Sequence, residues 1–487
     1  MDYSQFLVMK QEICLLVVFL LVFLNDTFLP RKAQGGIGAI ACVLFGVYTV
    51  LGFFPQILGS YAQMAFAGMY ETSPVIATIK NILNVGALIV MVQSLQWSGS
   101  EMQRVRRGEF YELLLVTLFG MYLMISSRHF LMFVIGLETA SLPLAAMVAF
   151  DKNRYESHEA AIKYILTAVF SSAVFMMGLS FVYGLSGSLY FSDIANAVLV
   201  SGNSVALVIA LAFVISGIGF KLSLVPFHLW TADVYQGAPT SVTAYLSVIS
   251  KGSAAFAFLV ILWQVFGAVY ADAWEWMLYA LIILTITIGN LFAMRQRNLK
   301  RFLAFSSISQ AGYIMLGVIA FTLTSQMGKA ALMYYILVYI FSNLAAFGVI
   351  GAIENKTGKV SMDDYNGLSK TNPWLSMTMM LAMFSLAGIP PFAGFFSKFF
   401  IFTSALNTGS VAIYVLVLIA LINTIVSLYY YLLVVKAMYI NTEEPCQIET
   451  FRSPLSERAA MWVCVAGIIG LGLVSFFYDS LLTMVGC

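Results

Sequence analysis

The sequence predicts an all-α polytopic membrane protein with about fourteen transmembrane helices. Hydrophobic residues make up 61% of the 487 residues and charged residues only 10%, a composition that soluble domains do not have. Apolar runs of about 20 residues, the length that crosses a bilayer, recur from one end of the chain to the other. The basic residues fall in scattered short connections rather than in one large patch, and nucleic-acid binding is therefore not expected.

The apolar runs give the predicted helices in chain order. The first run is followed by Pro30, Arg31 and Lys32 instead of a small-residue cleavage site, so we interpret it as a retained span and not as a signal peptide. The connections are short, and no soluble domain is expected. The predicted spans are 12–29, 36–54, 75–96, 111–126, 130–149, 160–185, 204–226, 240–266, 276–294, 302–323, 329–353, 374–404, 411–438 and 459–482.

The distribution of lysine and arginine predicts that both termini face the outer side of the membrane. With an outward N-terminus, 18 of the 25 basic residues fall in inward loops and three lie inside the membrane. The outward segments hold only Lys10, Lys80, Arg128 and Lys329. An excess of basic residues in inward loops is the positive-inside rule, and it requires an even number of spans here.

Two of the predicted spans are broken by proline at membrane depth. The seventh contains Pro226 and the twelfth contains Pro390 and Pro391, and each of these spans carries one central lysine, Lys221 or Lys398. In membrane proteins, the backbone groups freed by such breaks line polar sites. The two breaks are five helices apart. A repeat of five helices begins and ends on opposite sides of the membrane, so the next copy must have the inverted orientation. The spacing therefore predicts two inverted five-helix repeats.

These repeats predict four segments along the chain. Residues 1–110 are expected to form an N-terminal three-helix segment and residues 111–266 the first antiporter-like repeat. Residues 276–438 are expected to form the second, inverted repeat, and residues 439–487 a loop with the C-terminal helix.

Four charged side chains stand alone near the middle of apolar runs: Glu138, Lys221, Lys251 and Lys398. A charge at the bilayer centre costs about 2.5–3.5 kcal/mol on insertion scales, so such residues are usually functional. Burial disfavours the ammonium form of a lysine and a nearby carboxylate favours it, so a change of pairing can load or release a proton. We expect Glu138 and Lys221 to form such a pair, Lys251 to pass the proton on, and Lys398 to be the terminal station.

A buried ion pair that only fixes helix register is the structural alternative. It accounts for Glu138 and one lysine but leaves two central lysines without a carboxylate, and this imbalance favours charge movement. Lys80 and Lys163 lie within about a turn of span ends, where their long stems can reach the interface. We therefore do not count these two lysines among the central charges.

Three further features have a functional and a structural interpretation. His228, just beyond the seventh span, could carry a proton near neutral pH, but a histidine that bonds a helix-end carbonyl explains it equally well. Asp233 could gather protons, although an acidic residue in a short loop is more often a cap or turn former. The polar stretch from Ser306 to Gln310 could hold water or simply bond a neighbouring helix.

No cofactor or metal is expected in this chain. The five cysteines form no CxxC pair and no cluster with the three histidines, so local spacing builds neither a zinc site nor an iron–sulfur site. We expect reduced, structural thiols.

Several long segments resemble the signature segments of the antiporter-like membrane subunits of respiratory complex I, the bacterial NADH:quinone oxidoreductase. Together they cover most of the chain from about residue 110 to 440. DVYQGAPT is similar to the subunit N branch, whereas the L and M branches are closer to D-A-H-x-E-A-P, and Lys398 stands where subunit M carries a glutamate. The segments are FVIGLETASLPL (133–144), EAAIKYILTAVFSSAVFMMGLSFVYGLSGSL (159–189), FKLSLVPFHLWTADVYQGAPTSVTAYLSVISK (220–251), NLKRFLAFSSISQAGYIMLG (298–317) and SLAGIPPFAGFFSKFFIF (385–402).

The resemblance implies roles for the same four residues. Glu138 and Lys221 would be the coupling ion pair, Lys251 the connecting lysine and Lys398 the terminal lysine. It further implies a proton-translocating subunit in the inner (plasma) membrane of a bacterial cell, packed beside subunits M and K. Quinone reduction would occur elsewhere in the complex, with NADH, FMN, iron–sulfur clusters and quinone on other subunits.

The residues leave three other functions open. A subunit of a multi-subunit Na+/H+ antiporter would need a Na+ site of carboxylates and carbonyls, which Glu138 alone supplies poorly. A non-conducting structural spacer would keep the charges only as packing pairs. A quinone-binding catalytic subunit would need His and Tyr or Asp at matched depth, and no such constellation stands out.

Overall fold

The structure is a computed structural model, and it describes residues 3–28, 36–58, 62–100, 106–201, 205–267, 271–324, 326–407, 409–441, 446–474 and 476–486. Arg31, Lys32 and Arg104, which belong to predicted inward loops, lie outside the described residues.

The described residues are almost entirely helical, as predicted. Two 3-10 turns lie at Tyr3–Met9 and Met362–Tyr365, and two π turns at Leu246–Ser250 and Leu262–Phe266. The helices are α1 Lys10–Phe28, α2 Ile37–Gly52, α3 Pro55–Leu58, α4 Pro74–Ser98, α5 Arg107–Ser126, α6 Phe130–Val148, α7 Tyr155–Ser186, α8 Phe191–Ser201, α9 Val205–Leu222, α10 Leu229–Gly237, α11 Thr240–Tyr245, α12 Lys251–Ile261, α13 Ala271–Ala293, α14 Leu299–Thr324, α15 Gln326–Thr357, α16 Leu368–Thr371, α17 Pro373–Ala387, α18 Ala393–Leu406, α19 Val411–Tyr439, α20 Leu455–Leu473 and α21 Phe476–Gly486.

By length and composition, twelve helices in the described part of the chain can cross a membrane. One of them is continuous from Thr240 to Phe266 and contains both π turns. Ile37–Gly52 and the two halves of the twelfth predicted span are apolar but shorter. The all-α multi-span class is therefore confirmed, while the number fourteen and the inverted repeats stay predictions.

The structure contains elements that the apolar runs did not predict. A two-stranded antiparallel hairpin pairs β1, Gln63–Ala65, with β2, Tyr70–Thr72. The short helices α8 and α10 occupy stretches expected to be loops. The predicted span 459–482 is two helices, because α20 ends at Leu473 and α21 begins at Phe476. These elements are short or polar, and a search for long apolar runs does not detect them.

The chain divides into two compact units. Each unit is built from three separate stretches of the sequence. Unit 1 comprises Met1–Met91, Trp97–Leu222 and Ser250–Met277. Unit 2 comprises Val92–Gln96, Ser223–Ile249 and Leu278–Cys487.

In unit 1 the helix that carries Glu138, α6, packs closely along α5. The close approach depends on two glycines, since a Cβ on Gly120 would lie 2.4 Å from the Ala140 nitrogen and one on Gly136 would lie 2.8 Å from the Gly120 oxygen. Small residues at such crossings let backbones of membrane helices touch. Helix α7 packs along α9, and α12 packs against α5 and α9.

In unit 2 helices α14 and α15 form the core. In the apolar membrane-length segment of α14, 100% of the residues are buried, and in that of α15, 89% are buried. Helix α15 contacts α14, α17, α18 and α20, and α14 also contacts α10 and α18. The polar residues on these two helices therefore lie in the interior of the unit.

Contacts between loops support the predicted alternation of crossings within each unit. In unit 1 the hairpin, the α5–α6 turn and the α7–α8 turn meet through the bridges Tyr70–Ser127 and His129–Tyr190. In unit 2 Asn298 and Ser361, on connections two crossings apart, also form a bridge. Loops separated by two crossings must lie on the same side of a membrane, and these pairs obey that rule.

Candidate functional site

The first helix break follows Lys221 directly. Helix α9 ends at Leu222, Ser223 adopts a left-handed φ of 61°, and the peptide bond before Pro226 is cis. Proline has no N–H and disfavours helical geometry in the residue before it, so the helix cannot continue through this point. The freed Val225 N–H donates to the Thr285 hydroxyl over 3.0 Å. The predicted break of the seventh span is therefore present.

Lys221 and Glu138 both belong to unit 1 and interact electrostatically, but they do not form an ion pair in the described part of the chain. The Lys221 side chain is 8% exposed, and its Nζ donates to the Tyr164 hydroxyl over 3.4 Å and lies 5.9 Å from the ring centre. Glu138, half-buried on α6, acts electrostatically on both Lys221 and Tyr164. Among the described residues Glu138 forms no ion pair with Lys221. Tyr164, which sequence reasoning missed, therefore bonds Lys221 and lies within the electrostatic influence of Glu138.

Lys251 is the first residue of α12 and is only 1% exposed. It follows the π turn Leu246–Ser250 directly. A π turn inserts an extra residue into a helix, and such turns occur often at functional sites. The sequence reasoning found the lysine but gave no signal for the change of helix type.

Lys398 is held by the main chain of the second broken helix. Its side chain is 5% exposed, and Nζ donates to the carbonyl oxygens of Leu386 (2.9 Å) and Ala387 (3.1 Å). These residues end α17, where helix carbonyls lack intrahelical partners and carry the negative end of the helix dipole. The Tyr313 ring lies 5.1 Å from Nζ. The break at Pro390 thus creates the oxygen ligands that bind the ammonium group.

A polar cluster surrounds this lysine on helices α14, α15 and α19. Tyr335 donates to Gln310, whose amide donates to the Tyr431 hydroxyl (3.2 Å) and to the Leu386 carbonyl (3.4 Å). Tyr431 also bonds Ser306 over 2.5 Å. The predicted polar stretch of α14 therefore contacts the same carbonyl that holds Lys398. The two tyrosines come from distant positions in the sequence, and no local pattern indicates them.

Next to Lys398 lies a cavity of about 10 Å³, roughly the space that one water molecule needs. Gln310, Tyr335, Ser342 and Ser385 line it together with the lysine. Ser342 and Ser385 bond each other over 2.7 Å. The lining offers hydroxyl and amide groups, which can bond a water molecule beside the ammonium group.

The secondary candidates have different outcomes. Asp233 forms an ion pair with Arg301 at 2.6 Å, both about one-third exposed, so its carboxylate has a structural partner. His228 is 9% exposed and precedes α10, and its side chain does not cap that helix. The structure places His228 in unit 2, whereas Lys221 belongs to unit 1.

The expectation for Lys80 is wrong. Instead of reaching the interface, Lys80 is completely buried and pairs with buried Glu12 at 2.5 Å. The Tyr70 hydroxyl donates to the same carboxylate over 2.8 Å, and the Tyr122 ring lies 5.2 Å from the Lys80 Nζ. The β1–β2 hairpin places Tyr70 over Lys80 and so blocks the access of the lysine to solvent. The sequence does not predict this, because the hairpin forms no long apolar run. Lys163, in contrast, is 42% exposed and pairs with Glu159, as its position predicts.

A second buried pair lies near one end of the unit 2 helices. Lys300 is 1% exposed, and its Nζ donates to the Ala238 carbonyl (2.8 Å) and to Glu354 (3.4 Å). The Thr240 hydroxyl donates to the same carboxylate. These bonds fix the start of the helix that leads to Lys251 against α14 and α15.

Buried lysines at helix breaks, inside a multi-span helical fold, define an antiporter-like membrane subunit. The family model described as NADH:quinone oxidoreductase/Mrp antiporter, TM, matches residues 127–425. This range includes all four central charges.

Comparison with known proteins gives the narrower family. The NADH-quinone oxidoreductase subunit N of Phocaeicola vulgatus is 52% identical over 482 residues, which cover 99% of each chain. A chain of respiratory complex I from Thermus thermophilus is 30% identical with a TM-score of 0.78, covering 95% of this chain and 97% of that one. A chain of the Mrp complex from Dietzia sp. is 21% identical with a TM-score of 0.80 and covers 100% of this chain and 97% of that one, a likeness of fold alone. The chain belongs to the subunit N family of NADH-quinone oxidoreductase.

Proposed function

We propose that the chain is a proton-translocating membrane-arm subunit of NADH:quinone oxidoreductase. H+ moves through Glu138, Lys221, Lys251 and Lys398, driven by quinone reduction elsewhere in the complex. The chain is thus part of a translocase but performs no redox chemistry itself. NADH, FMN, the iron–sulfur clusters and quinone belong to other subunits.

The binding of Lys398 is the observation that carries this proposal. Two main-chain carbonyls accept hydrogen bonds from its ammonium group, and no carboxylate of the described residues pairs with it. Carbonyl oxygens can hold a charged lysine without a permanent counter-charge, so the site does not lock the lysine in one protonation state. A lysine that fixed helix register through a buried ion pair would have an acidic partner, and Lys398 has none among the described residues.

Glu138, Tyr164 and Lys221 provide the switch in unit 1. Lys221 bonds a neutral hydroxyl while the carboxylate stays at a distance, so a small shift of α6 would change how strongly Glu138 acts on the lysine. Opposite charges attract more strongly when a buried pair closes, and the protonation of Lys221 would follow. His228 is a weaker candidate for the same pathway.

The partners and the membrane orientation follow from the family and the charge distribution. We place the chain in the bacterial inner membrane with both termini on the periplasmic side, next to the subunits that resemble M and K. The two inverted repeats remain part of the proposal. The compact units do not separate the two repeats completely: residues 111–222 and 250–266 of the first repeat belong to unit 1, but residues 223–249 belong to unit 2 together with residues 278–438 of the second.

The test uses the assembled complex reconstituted in vesicles, with a pH-sensitive dye and an assay of electron transfer to quinone. Lys221→Met and Lys398→Met should each abolish or strongly reduce proton uptake while the complex still assembles. Lys163→Met, at an exposed lysine on α7, is the matched control and should pump normally. Normal pumping in both central variants would favour the structural-spacer function and exclude the pathway.

A further inference from the structure

A cavity with no assigned role lies where α17 and α20 begin side by side in unit 2. It has a volume of about 350 Å³, within the range of small-ligand sites. Two stretches line it, residues 371–375 at the start of α17, and residues 450–453 together with Arg458 at the start of α20. It lies at the opposite end of α17 from Leu386 and Ala387, whose carbonyl groups bind Lys398, and none of the four central charges lines it.

The lining of this cavity is positively charged. Arg452 and Arg458 both contribute to it, and none of the lining residues is acidic. Neither guanidinium forms an ion pair or hydrogen bond within the part of the chain that the structure describes. The planar, five-donor arginine side chain matches the geometry of a phosphate group. Arg452 is exposed and Arg458 half-buried, so both guanidinium groups are accessible at the cavity and can bind an anionic ligand that enters it.

Further donors point to the same chemistry. Helices α17 and α20, of 15 and 19 residues, both begin at this cavity. The N-terminal end of a helix has N–H groups without intrahelical partners and carries the positive end of the helix dipole, and both features favour an anion. The buried indole nitrogen of Trp374, another lining residue, has no hydrogen-bond partner in the described residues. Thr450 and Ser453 add hydroxyl groups.

The surroundings of the cavity are those of a membrane interface. Trp374 stacks on Trp462 with ring centres 4.1 Å apart, and tryptophan is enriched at the headgroup level of bilayers. Trp462 and Val463 on α20 are 52% and 50% exposed, and Leu455 at its start is 81% exposed. An apolar surface thus continues from the charged cavity along a membrane-spanning helix.

We propose that this cavity binds the headgroup phosphate of an anionic phospholipid, with Arg452 and Arg458 on the phosphate and the acyl chains along the exposed face of α20. Basic pockets between membrane helices on the inner side are known to hold such headgroups. In the proposed topology this end of α17 and α20 faces the inner leaflet. The site does not depend on the proton pathway.

The test is photolabelling of the assembled complex in phosphatidylcholine vesicles that contain a diazirine-bearing phosphatidylglycerol, or a diazirine-bearing phosphatidylcholine at equal concentration. Mass spectrometry quantifies the label on peptides from residues 446–474. We expect at least fivefold more label from phosphatidylglycerol. Arg452→Gln/Arg458→Gln should reduce it to the phosphatidylcholine level, and Arg295→Gln, at an exposed arginine outside the cavity, should not change it.

Each outcome decides the proposal. Equal labelling by the two lipids in the wild-type complex overturns it, and this comparison needs no variant to fold. Unchanged labelling of the double variant also overturns it. Loss of the phosphatidylglycerol label upon addition of 20 mM inorganic phosphate would assign the site to free phosphate instead of a lipid. Persistence of the label supports the lipid.

Discussion

Neutralising Lys80 should destabilise the N-terminal helices far more than its position near a span end suggests. The structure buries Lys80 and Glu12 to 0% and 1% exposure, with Nζ and the carboxylate 2.5 Å apart. In Lys80→Met the carboxylate keeps only the Tyr70 hydroxyl as a partner. Breaking a buried pair by removing one member costs about 3–5 kcal/mol, because the other charge stays buried and uncompensated.

The double variant Glu12→Leu/Lys80→Met separates this effect from simple loss of packing. It removes both charges and takes the carboxylate partner from the Tyr70 hydroxyl, which keeps the Ser126 and Thr72 side chains as neighbours, so the cost is at most about 1–3 kcal/mol. The double variant should therefore be at least as stable as either single variant. Lys163→Met, which breaks an exposed i,i+4 pair with Glu159, should cost no more than about 0.5 kcal/mol.

The assay is equilibrium unfolding of the purified full chain in mixed detergent and dodecyl sulfate micelles, followed by tryptophan fluorescence. The four proteins of the double-mutant cycle are compared with the Lys163 control under identical conditions. If the two single costs simply add in the double variant, within about 0.5 kcal/mol, the two side chains do not interact and the reasoning fails.

Three other substitutions test the site. Tyr164→Phe removes the hydroxyl to which Lys221 donates and should slow coupled proton uptake several-fold in reconstituted vesicles. Tyr183→Phe, at a tyrosine that is 53% exposed on the same helix, is the control and should have no effect, and equal rates in the two variants would exclude Tyr164 from the switch. Gly394→Ala places a Cβ 1.7 Å from the Ser385 carbonyl oxygen and should lower the yield of assembled complex on native gels, while Gly470→Ala, which meets nothing within 4 Å, should assemble normally. Burial lowers the pKa of His129, against the opposing charge of Asp193, and its Nδ1 accepts the Leu131 N–H at the start of α6. Because the folded pKa lies below the ordinary value near 6.5, this cap stabilises α6 above pH 6.5 and is lost as the pH falls through the folded pKa. The protection factor of the amides in the first turn of α6, which corrects each exchange rate for the intrinsic rate at that pH, should fall on acidification in the wild type but much less in His129→Asn, which keeps an acceptor that does not titrate.

The sequence could predict which charges are central, because an isolated charge in an apolar run is visible without any structure. Lys398 and the proline break beside it are an example, and both are present as predicted. The carbonyl groups that hold Lys398 could not be predicted. They belong to the main chain of Leu386 and Ala387, and they face the lysine only because the chain turns back on itself at the break.

The error at Lys80 has a related cause. Position within a span predicts exposure only when nothing covers the end of the helix, and here a three-residue strand carries Tyr70 over the lysine. Strands this short leave no periodic pattern. The Glu138–Lys221 pair was expected because complementary charges are visible in the sequence. The hydrogen bond from Lys221 to Tyr164 is not visible there, because it depends on how α7 packs along α9.

The backbone carbonyl groups that bind Lys398 limit what alanine-scanning mutagenesis of this protein can detect. Alanine scanning removes side chains, but the oxygens that hold this lysine remain in every such variant. The position of these carbonyl groups depends instead on the backbone conformation after α17. Gly388 adopts a φ of +87°, and a Cβ there would lie 3.2 Å from the Lys398 side chain. Variants that alter this turn, such as Gly388→Ala, or that replace a peptide bond by an ester, would disturb the carbonyl groups that bind the lysine. An alanine scan leaves these groups in place, because residue 387 is already alanine and Leu386→Ala removes only a buried side chain.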